Sequence, residues 1–160
     1  RRMVLTAEGA LVVSDTIEPC AECGVVNVGP LWQLPTDDVP EVDGNVVSAT
    51  GFIHAESGER EDDSHLLVAF EPDVERTVDV GLSMSMSGDR HRVSTQQIVR
   101  GGERTTMMSV LLPHDGTVDT DTLTEGFVWP GVGEVVLPAW GTSPETTVRF
   151  GDDDSWAVER

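Results

Sequence analysis

The chain has 160 residues, 38% of them hydrophobic, which is enough for one domain with a single core. It carries 29 acidic residues against ten arginines, contains no lysine, and has a formal net charge of −19. A surface so negative repels phosphate groups, which argues against nucleic acid and anionic membranes as partners. No apolar run approaches the ~20 residues that a membrane-spanning helix needs, so we expect no membrane span.

The acidity has two explanations. A solvated acidic surface suits a saline environment, because salt screens the repulsion between its charges. Alternatively, a GC-rich genome replaces Lys by Arg and the acidity is incidental. Base composition does not account for the excess of Asp, which favours a halophilic protein.

The first half of the chain alternates short apolar segments with turn residues. It predicts strands at residues 2–6, 10–16, 24–34, 45–56 and 65–70. Gly29-Pro30 interrupts the third of these strands, since Pro lacks the N–H that a sheet ladder needs. Gly51 predicts a bulge in the fourth, and residues 57–64 predict an acidic loop.

The second half begins with the clearest alternation. Apolar and small or polar residues alternate over 77–86, which is typical of a half-buried strand, and 91–100 is its expected hairpin partner. Further strands are predicted at residues 105–113, 126–129, 133–138, 146–150 and 155–159. No segment has helical periodicity over three turns. The sequence therefore predicts an all-β fold, an antiparallel two-sheet β-sandwich, as a single domain over residues 1–160.

Three segments carry a family resemblance. LVVSD at 11–15 ends a strand in an Asp, LWQLP at 31–35 is a W-x-L-P strand, and TMMSVLLP at 106–113 follows a basic, Gly-containing turn. With a closing hairpin at 145–158, this pattern resembles the β-sandwich (C-terminal) region of heparinase II/III-like polysaccharide lyases. The resemblance spans most of the chain and rests on strand-and-turn motifs.

The resemblance implies a role without catalysis. In that family the lyase chemistry uses Tyr and His residues that an α/α-toroid domain places, whereas this chain contains no Tyr. The implied partners are an acidic or neutral polysaccharide and a toroid catalytic domain, and the implied location is extracellular or at the cell surface. Some members bind a metal in the sandwich, which would place Asp15 among the ligands. Gln33 stands where members often have His, and this departs from the family's metal site.

Cys20 and Cys23 form a C-x-x-C motif. Two thiolates at this spacing suit one half of a tetrahedral zinc site, although no second C-x-x-C or paired His motif completes it. A tight disulfide and two free thiols are the alternatives. Asp115, Asp119 and Asp121 cluster in a predicted turn, where carboxylates could hold calcium or simply face water.

Four residues are candidates for ligand binding. Arg90, His91 and Arg92 form a cationic triplet on an anionic chain, which could meet a sugar carboxylate or sulfate. Trp140, between Ala139 and Gly141, is the tryptophan that we expect to be exposed and able to stack on a sugar ring. The sequence thus favours a non-catalytic domain that supports glycan binding. The alternative is a stand-alone surface or interaction module of a saline organism, without carbohydrate chemistry.

Overall fold

The computed structural model describes residues 1–53, 57–72, 76–85, 88–151 and 155–160. Within these ranges the chain forms fourteen strands, one α-helix and one short 3-10 turn. The elements are β1 (Arg2–Leu5), β2 (Leu11–Ile17), the 3-10 turn (Ala21–Cys23), β3 (Val25–Val28), β4 (Leu31–Leu34), β5 (Glu41–Asp43), β6 (Val46–Ile53), β7 (Arg60–Phe70), β8 (Arg76–Ser85), β9 (Gly88–Arg100), β10 (Thr105–His114), α1 (Thr120–Glu125), β11 (Val128–Gly131), β12 (Glu134–Leu137), β13 (Thr146–Phe150) and β14 (Trp156–Glu159).

The strands described above pair into three antiparallel sheets. The central sheet has the order β1-β2-β10-β7-β6-β5, and a C-terminal sheet has the order β11-β12-β13-β14. The third, which we call the β9 sheet, has β9 in its middle: β3 and β4 pair with one edge of β9, and β8 pairs with the other. The all-β, antiparallel prediction is confirmed, but the described strands make three sheets where the sequence predicted two.

The central sheet is buried on both faces. On one face Leu67 and Val110 pack in a core with α1 and the C-terminal sheet, which contributes Val135. On the other face Val68 packs in a second core with Val93 of the β9 sheet. The described part of the chain is therefore layered, with the central sheet between the other two.

This double burial explains why two central strands lack polar alternation. Successive side chains of a strand point to opposite faces, so both sets must be apolar when both faces are covered. In β7 Leu67 belongs to the first core and Val68 to the second. In β10 Leu112 packs in the first core and Leu111 against the second. Contiguous apolar runs are the result.

Several local predictions are confirmed. Gly51 has a positive φ, and the β6–β7 register shifts around it, as expected for a bulge. The interruption at Gly29 lets β3 and β4 both run along β9, because a Cβ on Gly29 would lie only 1.8 Å from the carbonyl oxygen of Thr95.

The predicted acidic loop at 57–64 is wrong beyond its start, since β7 already begins at Arg60.

The helix α1 was not predicted. Asp119 caps its N-terminus by accepting a hydrogen bond from Thr122 N at 3.1 Å, and Leu123 is fully buried in the first core. Asp121 lies in the first turn, and Asp115 instead accepts hydrogen bonds from the backbone and hydroxyl of Thr117. The three carboxylates, for which calcium binding and exposure to water were the alternatives, thus lie in different local structures.

A buried ion pair ties the β9 sheet to the central sheet. Arg76, at the start of β8, donates to the carboxylate and carbonyl of Glu71 at 3.1 and 3.0 Å. It also donates to the carbonyl of Thr106 in β10 and to the side chain of Gln97 in β9. Both charged side chains are less than a tenth exposed. Such a pair fixes geometry, because removal of one partner leaves a buried charge uncompensated.

No helix among the residues described is long and apolar enough to cross a membrane.

We expect the two faces of the central sheet to be equally intolerant of cavities. Leu67→Ala, on the face toward the C-terminal sheet, and Phe70→Ala, on the face toward the β9 sheet, should each lower the free energy of unfolding by about 2–5 kcal/mol. Leu5→Ala is the control, because Leu5 is 71% exposed, and it should cost about 0.5 kcal/mol or less. Urea denaturation measures all three. A value near the control for either buried position contradicts the layered arrangement.

Candidate functional site

Strand alternation divides β9 into an inner and an outer face. His91, Val93 and Val99 are buried, and Val93 belongs to the second core. Arg92 and Ile98, on the opposite side of the strand, are exposed. We call the side of the β9 sheet that carries Arg92 and Ile98 the outer face, and it is our candidate binding surface.

Polar side chains of neighbouring strands contact one another on the outer face. Asn27 of β3 donates to the amide oxygen of Gln96 in β9 at 2.5 Å. Gln33 of β4 donates to the hydroxyl of Ser83 in β8 at 3.2 Å. These amides and hydroxyls keep further donors and acceptors directed at solvent, which suits a hydroxyl-rich ligand.

The guanidinium of Arg92 lies next to Gly81 on this face. A Cβ added to Gly81 of β8 would be 3.0 Å from Arg92 Nε, so the missing side chain makes room for the guanidinium. The Arg92 guanidinium is 3.6 Å from the carboxylate of Asp79, and the two side chains are 46% and 49% exposed. Exposed pairs of this kind contribute little to stability, so the guanidinium can exchange this partner for another anion.

Arginines are concentrated along and just after β9 on a strongly negative chain. Four of the ten arginines, Arg90, Arg92, Arg100 and Arg104, lie in or just after β9. Arg100 and Arg104 are exposed, and Arg90 is half-buried. Other arginines are bound to carboxylates elsewhere, as in the Arg149–Glu134 pair of the C-terminal sheet at 2.8 Å, where the guanidinium lowers the pKa of Glu134.

The predicted triplet 90–92 is divided by the alternation. His91 is only 6% exposed, and its Nδ1 lies 3.0 Å from the carbonyl oxygen of Thr36 beneath the sheet. Arg92 points the other way, onto the outer face, so His91 cannot join it in binding a ligand from solvent. The three residues therefore do not form one cationic cluster, and ligand binding by Arg90 and Arg92 stays a prediction.

The prediction that Trp140 is exposed is wrong. Trp140 is 9% exposed and belongs to the first core, although its backbone lies in a turn that it closes with Ser143. The large aromatic ring covers the core from within the turn. Trp156 of β14 is instead the tryptophan on the surface, at 61% exposure, in the C-terminal sheet rather than in the β9 sheet.

The predicted metal ligands do not come together. Cys20 and Cys23 are joined in a disulfide, the second of the three alternatives, and sulfur atoms so bonded are not thiolate ligands. Asp15 accepts hydrogen bonds from Nε and Nη2 of Arg1, at 2.7 and 2.9 Å, so both of its carboxylate oxygens have partners. Throughout the described residues, no group of three or more His, Cys, Asp or Glu side chains is placed to hold a metal.

The disulfide lies where the chain crosses between sheets. Residues 18–24 connect β2 of the central sheet to β3, and the turn at Gly101-Gly102 connects β9 back to β10. Gly102 N donates to the carbonyl of Pro19 at 2.9 Å, and a Cβ on Gly101 would lie 2.6 Å from the carbonyl oxygen of Cys20. The two crossings are therefore packed side by side, which gives the disulfide a structural role.

The structure also brings together two histidines that are far apart in the sequence. His65 begins the apolar run of β7 and His114 ends that of β10, and the two residues are directly opposite in the antiparallel register. Their ring centroids are 5.1 Å apart. The signal in the sequence was the placement of one His at the start and one at the end of two equally apolar strands.

Comparison of the chain with protein-family models, with curated proteins and with solved structures finds no match. The resemblance to heparinase II/III-like lyases therefore stays a prediction.

We expect the protein to contain no free thiol before reduction and two afterwards, which titration of the denatured chain measures. Replacing both Cys20 and Cys23 by Ser should lower the free energy of unfolding by about 2 kcal/mol, since the disulfide closes a loop of only a few residues. The same variant also serves as the control, because a reducing agent should change the stability of the parent chain and leave the variant unaffected. Two thiols titrating without reductant would contradict the disulfide and restore the metal hypothesis.

Proposed function

We propose that this chain is a non-catalytic module that binds an acidic polysaccharide on the outer face of the β9 sheet. The observation that carries the proposal is the placement of Arg92 across Gly81, with hydrogen-bonding side chains around it, on a chain of net charge −19. A local excess of guanidinium groups on an otherwise repulsive surface selects ligands that present anions at defined positions.

The chemistry of the outer face matches uronate or sulfate groups. A guanidinium binds carboxylate or sulfate through paired, charge-assisted hydrogen bonds, which are about twice as strong as neutral ones. The Asn27–Gln96 and Gln33–Ser83 pairs on either side of Arg92 offer amides and a hydroxyl to sugar hydroxyl groups. A sheet face suits an extended polymer better than a small molecule, because it provides a row of contacts and no deep cavity.

On this proposal the chain binds the polysaccharide, and a separate domain cleaves it. The chain has no Tyr, which removes the phenolic base that the lyase resemblance would require. On this proposal the central sheet and the β9 sheet correspond to the two-sheet sandwich of heparinase II/III-like lyases, and the C-terminal sheet is an addition. An α/α-toroid domain would supply the chemistry. The disulfide supports an extracellular or cell-surface location, where oxidising conditions preserve it.

A protein partner is the second candidate. Val25 and Ile98 are 66% and 68% exposed, and both lie on the outer face, next to the arginines. Exposed apolar side chains beside arginines are common at protein interfaces. This observation favours the stand-alone interaction module of a saline organism, in which the same face would bind protein rather than glycan.

Affinity electrophoresis in gels containing heparin or polygalacturonate tests the glycan proposal. We expect retention of the parent chain at low salt, and Arg92→Ala should raise the dissociation constant about tenfold or more, given about 1.5–3 kcal/mol for a hydrogen bond to a charged group. Arg149→Ala is the matched control: it removes the same charge from the C-terminal sheet and should change the constant less than about twofold. Retention should weaken with added salt, which screens exposed charges.

Two outcomes decide between the candidates. Equal losses for the two arginine variants would mean that net charge alone, and not the outer face, governs retention, and this contradicts the proposed site. No retention on any acidic or neutral glycan contradicts glycan binding altogether and leaves the interaction module as the better explanation.

A further inference from the structure

The paired histidines lie at one end of the central sheet, away from the outer face of the β9 sheet. His65 and His114 are cross-strand neighbours of β7 and β10, with ring planes inclined by 32°. Both rings are half-buried. Neighbouring imidazoles at this separation are a bidentate donor set for a metal that prefers nitrogen.

Gly116 defines the space between the two rings. Its backbone N donates to His114 Nδ1 at 3.3 Å, so this ring nitrogen carries a lone pair and not a proton. A Cβ added to Gly116 would lie 2.8 Å from His65 Nε2. One nitrogen from each ring therefore faces the same glycine, which has a φ of 73° and leaves the space free of a side chain.

His114 is a half-buried ring beside a carboxylate. Burial lowers the pKa of His114, and the neighbouring His65 lowers it further, while Asp115 acts in the opposite direction. Asp115 follows His114 directly in the chain and is exposed, so its negative charge favours a cation nearby.

We propose that His114 Nδ1 and His65 Nε2 bind a divalent transition-metal ion in the space beside Gly116. Two imidazoles suit Ni²⁺, Cu²⁺ and Zn²⁺, with Cu²⁺ the tightest among them, whereas Ca²⁺ and Mg²⁺ prefer oxygen. Water fills the remaining coordination positions, because the described residues contain no third ligand in place. Binding replaces the Gly116 N–H by the metal as the partner of His114 Nδ1 and breaks no covalent bond.

Calorimetric titration with Ni²⁺ at pH 7.5 and high salt tests the proposal, since salt suppresses weak binding to the many carboxylates. We expect one ion per chain, with His65→Asn and His114→Asn each weakening the affinity at least tenfold, because a single imidazole remains. His91→Asn is the control, since His91 is buried beneath the β9 sheet with its Nδ1 at the carbonyl oxygen of Thr36, and it should leave the affinity unchanged. Mg²⁺ should give no heat of binding.

A second measurement keeps the test independent of folding. Thermal unfolding of each variant is recorded without metal, and if one of the two histidine variants unfolds, the other decides the outcome. Cu²⁺ spin-resonance spectra should show coupling to two nitrogens in the parent chain and to one in a single variant. The proposal is overturned if the parent chain does not bind Ni²⁺, if His65→Asn leaves the affinity unaffected, or if His91→Asn loses as much affinity as the two ligand variants.

Discussion

The structure depends on covering the central sheet from both sides. A sheet with two apolar faces needs two separate covers, and the chain supplies them from different segments. The β9 sheet comes from residues 25–34 and 76–100, whereas α1 and the C-terminal sheet come from residues 120–159. The central strands are contributed before, between and after the segments of the β9 sheet. Each cover therefore holds together strands that are distant in sequence, and neither core can form fully before the central sheet has assembled.

Local signals in the sequence were sufficient for most strands and for their antiparallel pairing. The alternation at 77–86 predicted β8 and its hairpin with β9, because that sheet has one face in solvent and one in the core. The number of layers could not be predicted in the same way. The run Leu66 to Phe70 is equally consistent with one buried face or with two, since burial on the second face depends on residues that arrive much later in the chain.

The candidate site shows the same division between local and distant information. The alternation of side chains along a strand was enough to place Arg92 and His91 on opposite faces. The prediction of one cationic cluster at residues 90–92 did not take this alternation into account. The burial of Trp140 could not be predicted from its neighbours, because it depends on how the turn closed with Ser143 folds across the first core. The short helix α1 had a capping signal in Asp119, although six residues are too few for helical periodicity to appear.

The acidity of the chain gives its few arginines distinct roles. Arg76 joins buried parts of two sheets, and Arg149 binds Glu134 on the surface. Arg60 binds Asp38 and lowers the pKa of that carboxyl group. Each pair places a guanidinium beside a carboxylate and neutralises repulsion locally, so the pairs compensate part of the self-repulsion that a charge of −19 imposes. Arg92 differs because its carboxylate partner is 3.6 Å away, which is longer than a hydrogen bond and leaves the charge of Arg92 available to a ligand.

The outer face is consequently a rigid platform. Its middle strand, β9, packs Val93 into the second core, and Arg76 connects the start of β8 to the central sheet. The crossings at residues 18–24 and at Gly101-Gly102 fasten one end of β9. A ligand that binds there does not have to order the backbone, so little of its binding free energy is lost to conformational entropy. Surface arginines on a mobile loop would lack this advantage, and this difference supports our proposal that an extended polymer binds on the β9 sheet.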